Sequence, residues 1–158
     1  GDYYAGAEDG GVLDMLAEVR VETLRSYGVD VALRDQLGSE GAATAELQKR
    51  GQAWARQFDA NFLIVLRRAA VIFNAWDNAA NIKAPLLYVL ANTDQRFPAD
   101  ELAVPTMAHL KASGVNGSYV EIDSPYGHLA PTEDWRKWAG ALETFLDQHS
   151  AINLTCKE

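Results

Sequence analysis

A single cysteine, Cys156, in 158 residues excludes an internal disulfide framework. No group of Cys and His has the spacing of metal ligands. No apolar run approaches the roughly 20 residues that a membrane-spanning helix needs. Gly-rich phosphate loops, internal repeats and low-complexity tracts are absent as well. Positive charge is in short supply: 14 Lys and Arg stand against 22 Asp and Glu, a net charge of −8. That balance argues against nucleic acid or an anionic membrane as partner, since each is held by a basic patch. There is no initiator methionine, and Gly1-Asp-Tyr-Tyr-Ala-Gly6 does not read as a signal peptide. The expectation is a chain whose N-terminal portion has been lost, with its compartment unread.

What is present is globular: 48% of residues are apolar and four are tryptophan, enough for one ordinary core. Apolar residues at 12, 13, 16, 19 and 24 have helical spacing, ending near Gly28. A short apolar patch follows, then a break at Gly38-Ser-Glu-Gly41. Residues 44–58 read as a polar helix with Leu47 and Trp54 turned inward. Asp59 can cap the next helix, where Phe62, Val65, Leu66, Ala69 and Phe73 form an amphipathic stripe. The first 80 residues are thus mainly helical, with a hinge expected over residues 78–82.

The stretch from Ile82 to His128 is different. Pro85-Leu-Leu-Tyr-Val-Leu-Ala91 has the continuous apolar character of a parallel strand covered on both faces. A polar loop, Asn92-Thr-Asp-Gln-Arg-Phe-Pro98, leads to a helix over residues 99–113, which Pro105 should either start or kink. Gly117-Ser-Tyr-Val-Glu-Ile-Asp123 reads as a second strand, followed by Ser124-Pro-Tyr-Gly-His128. A last helix is expected from Pro131 or Thr132, with Trp135, Trp138, Leu142, Phe145 and Leu146 on one face. Open α/β sheets present their functional groups beyond the carboxyl ends of the strands. Here those groups are Asp94 and His128. Two strands make a poor sheet alone, so further strands are expected from outside this chain.

These motifs carry a resemblance. Residues 92–98 resemble the acid-bearing loop of α/β-hydrolase enzymes, and Tyr119-Val-Glu-Ile-Asp-Ser-Pro-Tyr-Gly-His128 resembles the histidine loop of the homoserine O-acetyltransferase family among them. Phe58-Asp-Ala-Asn61 and the helix after it are similar to the segment returning from the lid in that family, and Gly1-Asp-Tyr-Tyr4 to the start of the lid. The resemblance implies the C-terminal portion of an α/β-hydrolase fold, its last strands and helices, preceded by a helical lid. The domains implied are a lid over 1–80, core over 81–150 and a tail over 151–158. It also implies a Ser-His-Asp triad in which Asp94 is the acid and His128 the base. No Gly-X-Ser-X-Gly elbow occurs in the chain, so the serine is expected on a companion N-terminal chain or a missing N-terminal part, separated by cleavage at the lid. Homoserine acetyltransferases usually carry an aspartate directly after the histidine, thought to hold the substrate's amino group. Leu129 occupies that position here. The expected chemistry is therefore acyl transfer, with acyl-CoA as a possible co-substrate, or hydrolysis of an ester, amide or thioester.

Other residues have plainer readings. Asp123 is expected to cap the turn into Ser124-Pro125. Tyr126 either lines a pocket or packs, and Leu129 is a substrate-binding candidate by position. Arg67 and Arg68 either meet an anionic substrate or a cofactor phosphate, or lie on a solvated or salt-bridged face. His109 and His149 fall among polar neighbours and are expected to be solvated, while Trp135 and Trp138 are expected in the core. Asn116-Gly-Ser118 and Asn153-Leu-Thr155 fit the glycosylation pattern, which is common by chance. No bound cofactor or metal is expected. A small-molecule acyl donor or ester is the expected substrate, and dependence on acyl-CoA would favour the cytoplasm. The alternative reading is a non-catalytic interaction module of the same fold, with Asp94 and His128 as relics.

Overall fold

The computed structural model describes residues 11–150. The segment 1–4, the triplet at Asn153, Cys156 and the tail from 151 lie outside the described residues. Internal contacts divide the chain into two units, one up to Asn74 and one from Ala75.

In the first unit, α1 (Val12–Ser26), α2 (Val29–Leu37) and α3 (Glu40–Ala55) pack together, followed by α4 (Ala60–Ile72). Helix α3 buries Ala43, Leu47, Gly51 and Ala55, one residue every four, so a narrow and mostly small-residue stripe faces α1. Leu16, Ala17, Val21 and Leu24 of α1 are buried in turn. Arg20 lies over the Trp54 ring at 5.3 Å, and Trp54 stacks on Phe58 at 4.3 Å.

The apolar patch after Gly28 is a helix that the sequence reading missed, anchored by buried Val29 and Leu33 one turn apart. It stops where expected, at Gly38, whose φ of 68° suits a residue without Cβ. Ser39 then caps α3 by accepting from the Ala42 amide at 3.3 Å. Asp59 caps α4 as expected, accepting from the Asn61 amide at 2.9 Å. The stripe on α4 does not turn inward among the described residues. Phe62, Val65 and Phe73 are 57%, 59% and 77% exposed, and no residue of α4 is buried.

The second unit opens with a 3-10 turn (Trp76–Asn81) and then holds β1 (Leu86–Ala91), α5 (Ala99–Ala112) and β2 (Gly117–Ile122). The two strands are parallel and in register from Leu86 opposite Gly117 to Ala91 opposite Ile122. Alternation sends Tyr88, Leu90 and Tyr119 to one face, against Ala99, Leu102 and Ala103 of α5. Val89, Ala91 and Ile122 go to the other face, against Ala130 and Trp138. Both faces of the ladder are therefore covered, while each strand keeps one unpaired edge among the described residues. Pro105 neither starts nor ends α5, which continues through it to Ala112.

The end of the chain corrects the sequence reading. A short α6 (Ala130–Glu133) stops at Asp134, and α7 (Arg136–Ser150) starts afresh. Asp134 leaves the helical region, with φ −110° and ψ 30°, and its carboxylate is held by Ser124 and Lys137. Trp135 and Leu146 are 48% and 52% exposed. Trp138 is the tryptophan that packs on the sheet, and its indole N–H donates to the Pro131 carbonyl at 3.0 Å.

The α1–α3 crossing makes one position decisive. A Cβ on Gly51 would lie 2.7 Å from the Ala17 carbonyl oxygen and 2.8 Å from Val21 Cγ2, so the helices must separate. Gly51→Ala gains about 1 kcal/mol of helix propensity but incurs an overpacking cost of about 1–3 kcal/mol. Net destabilisation is expected in denaturant unfolding. Gly41→Ala meets only Ser39 Oγ at 3.8 Å and should be neutral or stabilising; the same sign for both variants would contradict this account of the crossing.

Candidate active site

Strand β1 ends at Ala91, and the chain turns at once as the Asp94 amide donates back to the Ala91 carbonyl at 3.1 Å. This sharp turn buries the Asp94 side chain, which is 7% exposed by residue. One carboxylate oxygen, Oδ1, accepts from the amides of Arg96 at 2.7 Å and Phe97 at 3.1 Å. The other, Oδ2, lies 2.8 Å from His128 Nδ1. Asp94 is thus a turn residue and the partner of a histidine at once, a separate oxygen serving each role.

His128 arrives from β2. After Ile122 the chain runs through Ser124-Pro125-Tyr126 to Gly127, whose φ of 54° lies in the left-handed region that favours glycine. A single 3-10 turn (Gly127–Leu129) then carries the histidine, closed by the Leu129 amide donating to Tyr126 at 3.0 Å. The imidazole is 37% exposed while the Asp94 side chain is 6% exposed, so a buried acid backs a base that reaches the surface. The Phe97 ring flanks it at 5.4 Å, tilted by 36°.

Chemistry fixes the direction of the bond. An ionised carboxylate only accepts, so Nδ1 must carry the proton. In the neutral ring Nε2 is then the basic nitrogen. Burial pushes the Asp94 carboxyl up, but the hydrogen bonds from His128, Arg96 and Phe97 together outweigh it and hold the group below its ordinary value.

The histidine loop rests on polar contacts that the sequence reading did not single out. Ser124, 2% exposed, accepts from the Tyr126 amide at 3.2 Å and hydrogen-bonds Asp134. Lys137 lies 2.9 Å from Asp134 and donates to the Asp123 carbonyl at 2.6 Å. These bonds to Ser124 and Lys137 hold the Asp134 carboxyl below its ordinary value. Asp123 does not cap its own turn as expected: its carboxylate accepts from the Asn92 side chain at 2.8 Å, because β1 runs alongside and presents a donor. The only available signal was a cluster of short polar residues at strand ends, the pattern of local side-chain-to-backbone bonding.

The remaining candidates separate. Tyr126 packs against the Ala91, Ile122 and Ala130 cluster. Leu129 follows His128 in the 3-10 turn, half-buried. Arg67 and Arg68 are exposed on α4, in the first unit. His109 is not simply solvated, since Nε2 lies 3.1 Å from the Trp76 carbonyl and the two rings meet edge to face at 4.1 Å. His149 meets Phe145 edge to face at 4.7 Å. No group of three or more His, Cys, Asp or Glu capable of holding a metal occurs among the described residues.

Two lowered carboxyls give a pH dependence. Asp94 and Asp134 titrate lower in the folded protein than in the unfolded chain, so their stabilisation is complete above the ordinary value of 3.8. It is lost as pH falls through the lowered values. The melting temperature is expected to drop on acidification below about pH 4, and Asp94→Asn should flatten that drop. An unchanged acid limb in the variant would place the linkage elsewhere.

No protein-family model matches the chain. It is 33% identical to a homoserine O-succinyltransferase of Bordetella pertussis over 125 residues, covering 74% of this chain and 30% of that protein. It is 29% identical to a homoserine O-acetyltransferase of Symbiobacterium thermophilum, covering 96% of this chain and 44% of that protein. Among solved structures, esterase E22 superposes with a TM-score of 0.65 at 22% identity, over 85% of this chain and 42% of the esterase. The L374D mutant of the same esterase gives 0.66 at 21%, over 91% of this chain and 45% of the esterase. The chain therefore spans less than half the length of each of these relatives. Within that span it is a partial relative of the homoserine O-acyltransferases, built on the α/β-hydrolase fold.

Proposed function

We propose that this chain supplies the acid and the base of a serine-dependent acyltransferase or hydrolase, with Asp94 as acid and His128 as base. The carrying observation is the 2.8 Å bond from His128 Nδ1 to a buried carboxylate that two backbone amides also hold. The nucleophilic serine and the oxyanion donors belong to a companion N-terminal chain or to the N-terminal part of a longer polypeptide, cleavage at the lid being the route to two chains.

In this mechanism Nε2 takes the serine proton as Oγ attacks the acyl carbonyl. Asp94 stabilises the imidazolium that forms and keeps the ring oriented. The imidazolium then protonates the leaving group, the C–O, C–N or C–S bond breaks, and an acyl-serine remains. Water, or another alcohol or amine, is deprotonated by the same Nε2 and releases the acyl group. Leu129 bears on the choice of acceptor. An apolar side chain directly after the base cannot pair with an ammonium, so homoserine is disfavoured as acceptor and hydrolysis of small esters favoured. The esterase likeness supports that direction, while the homoserine acyltransferase relatives keep acyl-CoA as a possible donor.

The test uses the assembled protein, companion part included. A serine-reactive phosphonate should add mass to the companion part and leave residues 1–158 unmodified. Asp94→Asn should lower kcat by about 10⁴-fold and His128→Ala by about 10⁶-fold, with assembly intact. Wild-type turnover in His128→Ala would sink the reading and leave a non-catalytic module.

Hydrolysis and transfer are then separated by substrate. The expected result is turnover of an activated short-chain ester without acceptor, and no faster consumption of acetyl-CoA when homoserine is added. Acceleration by homoserine would reverse that assignment.

A further inference from the structure

The bond between Asp94 and His128 joins two loops, and the two residues directly before the acid already tie those loops together. The Asn92 amide makes the last rung of the ladder, donating to the Ile122 carbonyl at 3.0 Å. Its side-chain oxygen accepts from the Ser124 amide at 3.1 Å. Thr93 goes further. Its Oγ1 accepts from the Gly127 amide at 3.1 Å and donates to the Ser124 carbonyl. The direction is forced: an amide can only donate and a carbonyl can only accept, so the one hydroxyl proton goes to Ser124 and the lone pair to Gly127.

We propose that Thr93 is a positioning residue for the His128 imidazole, a role that rests on the acyl-transfer reading above. Its hydroxyl grips the histidine loop at two points that bracket Pro125 and Tyr126, and the second point is the residue whose positive φ aims His128. Gly127 is buried, so its N–H finds a partner in Thr93 or loses free energy. Without that grip the 125–127 peptides can rotate about glycine, which has no Cβ to resist, and the imidazole swings away from Asp94. Thr93 and Asp94 are adjacent, so one turn sets the backbone of the loop and the ring it carries. Displacement of a catalytic group by about 1 Å costs on the order of 10²-fold in rate, which is the scale at which such a grip matters.

The experiment takes the assembled protein and three variants. Thr93→Val keeps the shape and removes both bonds. It is expected to lower kcat about 10- to 100-fold with KM little changed, and to weaken the low-field proton resonance of His128 Nδ1–H. Thr93→Ser restores the hydroxyl and should recover most of kcat. Should the valine variant not fold, Thr93→Ala carries the same expectation.

Wild-type kcat in the folded valine or alanine variant overturns the inference, as does a melting-temperature loss with turnover per folded molecule unchanged. A serine variant as impaired as the valine variant also overturns it. His128→Ala, measured alongside, separates the two levels. If it is inactive while Thr93→Val is not, only the role of Thr93 falls. If it is fully active, the acyl-transfer reading falls first.

Discussion

The parallel pairing of β1 with β2 is the constraint on which the site depends. Parallel strands in register end on the same side, so Ala91 opposite Ile122 brings the loops after both strands to one edge. An antiparallel pair would have put Asp94 and His128 at opposite ends. Helix α5 makes the parallel return possible, since a parallel connection needs a crossover of a dozen or more residues. Its small buried residues, Ala99 and Ala103, let it lie close on the face that carries Leu90. The 2.8 Å contact at the end is thus prepared by the ladder and the crossover before any polar residue acts.

That contact also requires a carboxylate to be ionised where water hardly reaches it. Burying a charge costs several kcal/mol even after relaxation. Hydrogen bonds to a charged group return about 1.5–3 kcal/mol each, and Asp94 has three: two from backbone amides and one from the imidazole. The sum covers the cost, in keeping with a carboxyl held below its ordinary value. The two amide bonds come from the local turn and do not need the histidine. The position of the acid is therefore set independently of the base, and ring orientation is set by a group that is itself fixed.

Much of this was legible in the sequence, for identifiable reasons. The strand 85–91 announced itself as a continuous apolar run, and the acid and histidine stood at the two loop positions that an α/β sheet uses. Helix α2 was not legible, because Val29 and Leu33 are too few to show a period beside exposed neighbours. The break at Asp134 was hidden because the partner of its carboxylate, Ser124, lies ten residues away on the loop after β2. Asn92 and Thr93 were read only as part of a polar loop, and most of what they hold is backbone, which has no signature in side-chain identity. The resemblance to the homoserine acyltransferase histidine loop singled out Asp94 and His128; that the histidine loop is fastened by its neighbour is visible only in the fold.

The uncovered surfaces bear on the companion part proposed above. Among the described residues each strand has an unpaired edge, a row of N–H and C=O groups that ordinarily invites another strand. Helix α4 exposes Phe62, Ile64, Val65, Leu66, Val71 and Ile72 around more than one side. A helix of 13 residues is marginal in water by itself, and a helix with this much exposed apolar surface is ordinarily covered. Open edges and an apolar helix without cover are what a larger sheet and its lid would satisfy, and the relatives are more than twice as long as the matched span. The proposed chemistry has the same need, since Asp94 and His128 acting as acid and base require a nucleophilic serine from the companion part. On that proposal one complement serves both needs, strands for the edges and a nucleophile for Nε2.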